Sequence, residues 1–123
     1  VVGQAERLPA GEAGVLFTDG PRRRLARPPL ARALVELIDT PFRGRLNVAG
    51  ARPLSRFEFG TRLLDWFDVP GRERVRGAAS APLGLRRPRD LTLELARARS
   101  LLRTPLVSVD HELAAARRKD LPR

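Results

Sequence analysis

Apolar residues follow two different periods along this chain, and the switch between them is cleanest from Gly44 to Phe67, GRLNVAGARPLSRFEFGTRLLDWF. Leu46 and Val48 alternate with Arg45 and Asn47, the two-residue period of a short half-buried strand, until Gly50 and Pro53 break the run. A helix is predicted directly afterwards. Ser55 and Glu58 have capping-box spacing, in which the hydroxyl accepts the N3 amide and the carboxylate reaches back to the cap amide. Phe59, Leu63, Trp66 and Phe67 then recur at helical spacing. Such an aromatic face reads as core packing rather than a ligand-stacking surface, because an apolar helical stripe ordinarily faces a core.

The flanking elements are shorter. Residues 1–14 keep no sustained period and end in PAGEAG, the pattern of a frayed helix or loop, and residues 15–18 then form a strand closed by the turn residues Asp19, Gly20 and Pro21. A basic connector, 22–27, leads to Pro28 and Pro29. Proline suits the first helical turn, where its missing amide is an orphan anyway. Leu30, Ala33, Leu34, Leu37 and Ile38 form the apolar face of the helix predicted to follow, which Thr40 and Pro41 stop. Val69, Pro70 and Gly71 end the aromatic helix, and residues 72–80 are too polar and too rich in Gly and Ala to be placed. Leu91 and Leu93 suggest a brief extended piece, while Leu95, Ala98, Leu101 and Leu102 suit a short helix ended by Thr104 and Pro105. Ser108 is positioned to cap a last helix through Val109, Leu113 and Ala116, with Arg117 to Lys119 at its cation-favouring end.

Length and composition narrow the class. A chain of 123 residues is expected to form a single domain, 1–123, with a modest core, since aromatics are only 5% and 11 Pro with 10 Gly cut it into short elements. No apolar run approaches the roughly 20 residues of a membrane span, so a cytoplasmic location without membrane partners is the default expectation. The net charge of +10 raises nucleic acid as a partner. Arginines spread along the chain, with no aromatic among the clusters to stack a base, favour a solvated surface instead.

The inventory also removes most catalytic chemistries. Without Cys and with His111 as the sole imidazole, neither a thiol nucleophile nor a multi-His metal site can be built. Asp110, His111 and Glu112 are adjacent, so on a helix they diverge instead of converging on one ion. Neither a nucleophile elbow nor a lysine-bearing phosphate loop occurs, and Gly11 and Gly14 lack the preceding strand of a dinucleotide turn.

Three pieces in this order carry a resemblance: LFTDGPRRR with LARALVELID, then GRLNVAGARPLSRFEFGTRLL, then RPRDLTLELARARSLLRTPLVSVDHEL. Together, over roughly residues 15–113, they resemble the C-terminal, substrate-binding portion of dTDP-4-dehydrorhamnose reductase-like, NAD-dependent epimerase-type extended short-chain dehydrogenase/reductases. The resemblance implies an α/β fold: a small substrate-binding lobe with one or two short strands of an incomplete Rossmann-type sheet and three to four helices. It implies NAD(P) for a full-length relative, with no cofactor-binding residue in this chain. It places Arg87 to Asp90 in the part that grips a nucleotide sugar, and makes Arg87, Arg89 and Asn47 the substrate-binding positions. Relatives move protons with a Tyr-x-x-x-Lys pair, and this chain has no Tyr. Pro28 and Pro29 depart from the helix-capping aspartate of many relatives. The expectation is a sugar-nucleotide-binding part of an oxidoreductase, not catalytic alone, partnered by a nucleotide sugar and by a missing Rossmann half or a second copy. The alternatives are a non-catalytic partner subunit of an oxidoreductase and a basic nucleic-acid-binding module.

Overall fold

The computed structural model describes residues 7–116. Its elements are β1 (Gly14–Phe17), α1 (Arg27–Ile38), α2 (Arg56–Trp66), β2 (Val75–Ala78), α3 (Ala96–Leu101) and α4 (Val109–Ala115), with short 3-10 turns at Leu8–Ala10, Arg72–Arg74 and Ala81–Leu83. Four helices and a two-stranded parallel sheet, among the described residues, make the small α/β lobe that the sequence predicts. The chain folds into two compact units that interleave in sequence.

The first unit takes residues 7–21 and 54–91. Strands β1 and β2 pair in parallel with Gly14 opposite Val75 and Phe17 opposite Ala78, and the Thr18 amide extends the ladder to the Ala78 carbonyl at 2.9 Å. Helix α2 packs on both strands. Leu8, Leu16, Leu64, Val69 and Val75 close into one buried cluster with Phe57 against it. Gly77 makes the close packing feasible, because a Cβ there would lie 2.6 Å from Thr18 Cγ2 and 3.3 Å from the Phe57 ring. Helix α2 begins as expected: Ser55 Oγ accepts the Glu58 amide at 3.1 Å and Glu58 Oε2 accepts the Ser55 amide at 2.7 Å. Its end is a left-handed turn at Asp68 (φ 54°), after which the Val69 amide reaches back to the Leu64 carbonyl at 2.9 Å.

The second unit takes Arg22–Pro53 and Thr92–Ala116. Ala33, Ala49, Leu95, Ala98, Leu102 and Leu106 form its buried cluster, with Leu25, Leu37, Leu46 and Val48 packed against it. The Glu36 carboxylate ties α1 to the end of α3 by accepting the Arg103 amide, the Thr104 amide at 2.9 Å and the Thr104 hydroxyl at 2.7 Å. Gly50 sits where backbone crosses backbone: its amide donates to the Arg23 carbonyl at 3.2 Å, and an added Cβ would fall within 1.8 Å of the Arg24 carbonyl oxygen.

Several sequence expectations change. Leu46 and Val48 are half-buried and Arg45 and Asn47 exposed, so the alternation is real, but residues 45–48 do not form a strand. A ladder needs a hydrogen-bonded neighbour, and the sheet's second strand comes from 75–78, the stretch whose composition gave no assignment. The interior face of α2 carries Phe57, Gly60 and Leu64, while Phe59, Leu63 and Trp66 are half-buried and Phe67 is 46% exposed. Trp66 and Phe67 meet edge to face, 5.2 Å between centroids. On α1 the buried positions are Pro29 and Ala33; Leu34 and Ile38 face out, at 54% and 78% exposure. That helix starts at Arg27, two residues before Pro29, and α3 is ended at Leu101, before Thr104. No strand forms at Leu91 and Leu93. Ser108 caps α4 by accepting the His111 amide at 3.3 Å, whereas Arg117 to Lys119 lie outside the described residues.

Candidate functional site

In the first unit the turn after β1 and the loop after β2 enclose an open cavity of about 420 Å³, lined by Asp19, Ser80, Ala81, Leu85, Arg86, Arg87, Pro88 and Arg89. That volume is within the range of small-molecule sites, about 300–1,000 Å³. The sequence explains how each wall arises. The Asp-Gly-Pro turn must reverse the chain at the end of β1, and Gly20 supplies its left-handed residue (φ 66°). Ser80 lies two residues beyond the end of β2 and is 4% exposed. Asp19 Oδ2 accepts both the Ser80 hydroxyl, at 2.6 Å, and the Ser80 amide, at 3.0 Å. These bonds, the hydroxyl's first, hold the Asp19 carboxyl below its usual range, helped by the Arg87 charge and opposed by partial burial.

The loop itself, residues 81–90, is exposed at every position. It returns to the same turn at its far end: the Gly20 amide donates to the Arg89 carbonyl at 3.0 Å and the Leu91 amide to the Pro21 carbonyl at 3.3 Å. The Arg87 guanidinium lies 5.2 Å from the centre of the Phe17 ring, a cation–π position. Three arginines and one aspartate are among the residues that line the cavity, a set that suits a ligand with several anionic oxygens, since the planar fork of arginine can donate two parallel bonds to a phosphate.

Arg87 and Arg89 therefore share one cavity, with Arg86 beside them. Asn47 belongs to the second unit, where its Nδ2 donates to the Glu94 carbonyl at 3.3 Å and thereby ties the 45–50 segment to the start of α3. Glu94 uses its carboxylate on the Ala96 amide at 2.6 Å, which lowers its pKa through the amides it accepts. Asp19 and Ser80 escaped sequence reasoning. Asp-Gly-Pro signalled a turn, but nothing local signals a serine 61 residues away. Among the described residues no cluster of three His, Asp or Glu side chains could hold a metal ion, and no helix is long and apolar enough to cross a membrane.

The architecture has a solved counterpart. The fold is similar to part of a dTDP-4-dehydrorhamnose reductase. The crystal structure of that reductase from Yersinia enterocolitica superposes with a TM-score of 0.71 over 93% of this chain, at 20% identity. The chain spans 40% of the length of that reductase. At this identity the likeness establishes the fold, and the family resemblance read from the sequence is borne out at that level. No protein-family model matches the chain, and no curated protein does.

Proposed function

We propose that this chain supplies the nucleotide-sugar-binding part of a dTDP-4-dehydrorhamnose reductase-like oxidoreductase and does not catalyse alone. The observation that carries this reading is the cavity in which Arg86, Arg87 and Arg89 gather over the Asp19 turn. Arg87 is the main anion contact, held over Phe17 so that its fork meets the diphosphate, and Arg89 adds charge from the far end of the loop. The fold likeness to a reductase supports the ligand class, and the absence of Tyr from the sequence supports the non-catalytic role. Cofactor chemistry belongs, on this reading, to a nucleotide-binding half outside this chain.

Calorimetric titration of the purified chain with dTDP-glucose tests it. Saturable binding is expected, weakened about tenfold or more by Arg87→Lys and little by Arg86→Lys, because a lysine point charge loses the bidentate geometry. Equal affinities for the two variants would leave Arg87 as surface charge. NADPH is expected to give no saturable binding in the micromolar range, and saturation there would refute the assignment of the cofactor to another half.

A second reading, a non-catalytic subunit that completes a separate oxidoreductase half, is favoured by the outward apolar residues of α1, Leu34, Val35 and Ile38, at 54%, 64% and 78% exposure. Co-purification with a Rossmann-type protein would support it over the first.

A further inference from the structure

We infer that Asp19 is the positioning residue of the arginine cavity, holding the loop that carries Arg86, Arg87 and Arg89 in place at both of its ends. The inference rests on the anion-binding reading above. At the loop's start, Asp19 Oδ2 takes both donors of Ser80, so the chain leaves β2 in one direction. At its end, the turn that Asp19 opens receives Arg89 and Leu91 through the Gly20 amide and the Pro21 carbonyl. The turn lies beside the loop there: a Cβ on Gly20 would be in ordinary van der Waals contact with the Pro88 carbonyl oxygen, at 3.5 Å. One short turn thus closes the base of a stretch whose ten residues are all exposed and which has no buried side chain of its own to hold it.

Charge and geometry make opposite predictions for this residue, and that separates a positioning role from a bystander. A carboxylate lining an anion cavity repels the ligand, so on charge alone its removal tightens binding. If Asp19 instead positions the loop, removing its oxygen frees Ser80 and lets the arginines spread, so that binding must pay for reordering them and weakens. Asparagine distinguishes the two effects, because its side-chain oxygen can accept both Ser80 donors without the charge.

The test titrates the purified chain with inorganic pyrophosphate by calorimetry, as wild type and as Asp19→Ala, Asp19→Asn and Ser80→Ala. Amide hydrogen exchange at Gly20 and Leu91 is followed in parallel. Asp19→Ala is expected to weaken pyrophosphate binding about fivefold or more, Ser80→Ala to weaken it in the same direction, and Asp19→Asn to bind at least as tightly as wild type. Exchange at Gly20 and Leu91 is expected to quicken in Asp19→Ala and to return to the wild-type rate in Asp19→Asn. Equal or tighter binding by Asp19→Ala would overturn the inference and leave Asp19 as a charge alone. Should Asp19→Ala lose its fold by circular dichroism, the contrast between Ser80→Ala and Asp19→Asn decides in the same way. If wild type binds no pyrophosphate, the anion reading falls. Exchange rates then decide on Asp19 separately: unchanged rates in Asp19→Ala overturn its hold on the loop, and quickened rates uphold it.

Discussion

Replacing Ser55 by alanine tests whether a four-residue sequence signal governs the fold of the first unit. The hydroxyl accepts the Glu58 amide at 3.1 Å, and the Ser55 amide is received in turn by Glu58 Oε2 at 2.7 Å. Losing an N-cap acceptor costs typically about 1 kcal/mol, with a range of about 0.5–2. Ser55 is 4% exposed, so water cannot readily replace the missing oxygen, and the cost belongs in the upper half of the range, about 1.5 kcal/mol. The loss propagates into packing, because α2 carries Phe57 and Leu64 into the cluster with Leu8, Leu16, Val69 and Val75. For a chain of this size such a change lowers Tm by roughly 5 °C. Thermal melts monitored by far-UV circular dichroism measure it. Ser55→Asn, which keeps an acceptor at the cap without setting a second charge beside Glu58, should retain most of the stability. A double variant with Glu58→Ala should lose less than the two single losses added, since each removes one half of the same reciprocal pair. Equal destabilisation by Ser55→Ala and Ser55→Asn would refute the capping argument and assign the effect to the packing of the serine itself.

Three further outcomes follow from the packing. Gly50→Ala should destabilise by about 3 kcal/mol or more in urea unfolding, because its Cβ would fall 1.8 Å from the Arg24 carbonyl oxygen and backbone rather than a flexible side chain must move; a loss under about 1 kcal/mol would contradict the crossing described here. Glu36 accepts the Arg103 amide and the Thr104 hydroxyl and amide, so its folded pKa lies below the usual 4.5. Its contribution is present above that value and lost as pH falls through the lowered pKa, and Glu36→Gln should flatten the acid limb of stability below pH 4.5 in pH-resolved melts. Val15→Lys, at a position 57% exposed, should change stability by less than about 0.5 kcal/mol, while Leu16→Lys, at 5% exposure, should prevent folding; comparable effects at the two positions would reverse the assigned faces of β1.

What was legible in the sequence was local. The Ser55 cap spans four residues and appears as read, as does Ser108 before α4, because a cap needs only its own turn. Burial is decided by neighbours distant in sequence, and there the reading failed. Leu8, in a stretch with no period, is fully buried because Leu16, Leu64, Val69 and Val75 converge on it. Strand β2 offers Val75 as its only large apolar residue, and Gly77, which looks like a breaker, is what lets the Phe57 ring approach the sheet. Apolar residues on α2 fall at 57, 59, 63, 64 and 66, with Phe67 at its C-cap, so two faces qualify, and only the packing of the strands selects the one through Phe57 and Leu64. Arg87 and Arg89, singled out from their motif, line the candidate cavity, whereas Asp19 and Ser80, joined across 61 residues, had no local signal.

The arginine loop is costly by the same physics that makes the rest of the unit fold. Ordering a residue's backbone costs roughly 1–2 kcal/mol, ordinarily offset by burying apolar surface. No side chain of residues 81–90 is fully buried, and Leu83 and Leu85 remain 64% and 38% exposed. The contacts that hold them include the polar closure at the Asp19 turn, one 3-10 turn at Ala81–Leu83, and the seat of Arg87 on Phe17. Repulsion among Arg86, Arg87 and Arg89 works against even that. On the proposed reading a polyanion in the cavity would remove this repulsion, so that ligand binding and loop order would reinforce each other. The cavity should therefore be most ordered when filled, with amide exchange at Leu91 slowing as pyrophosphate is added; a rate independent of a saturating ligand would separate the loop from the site.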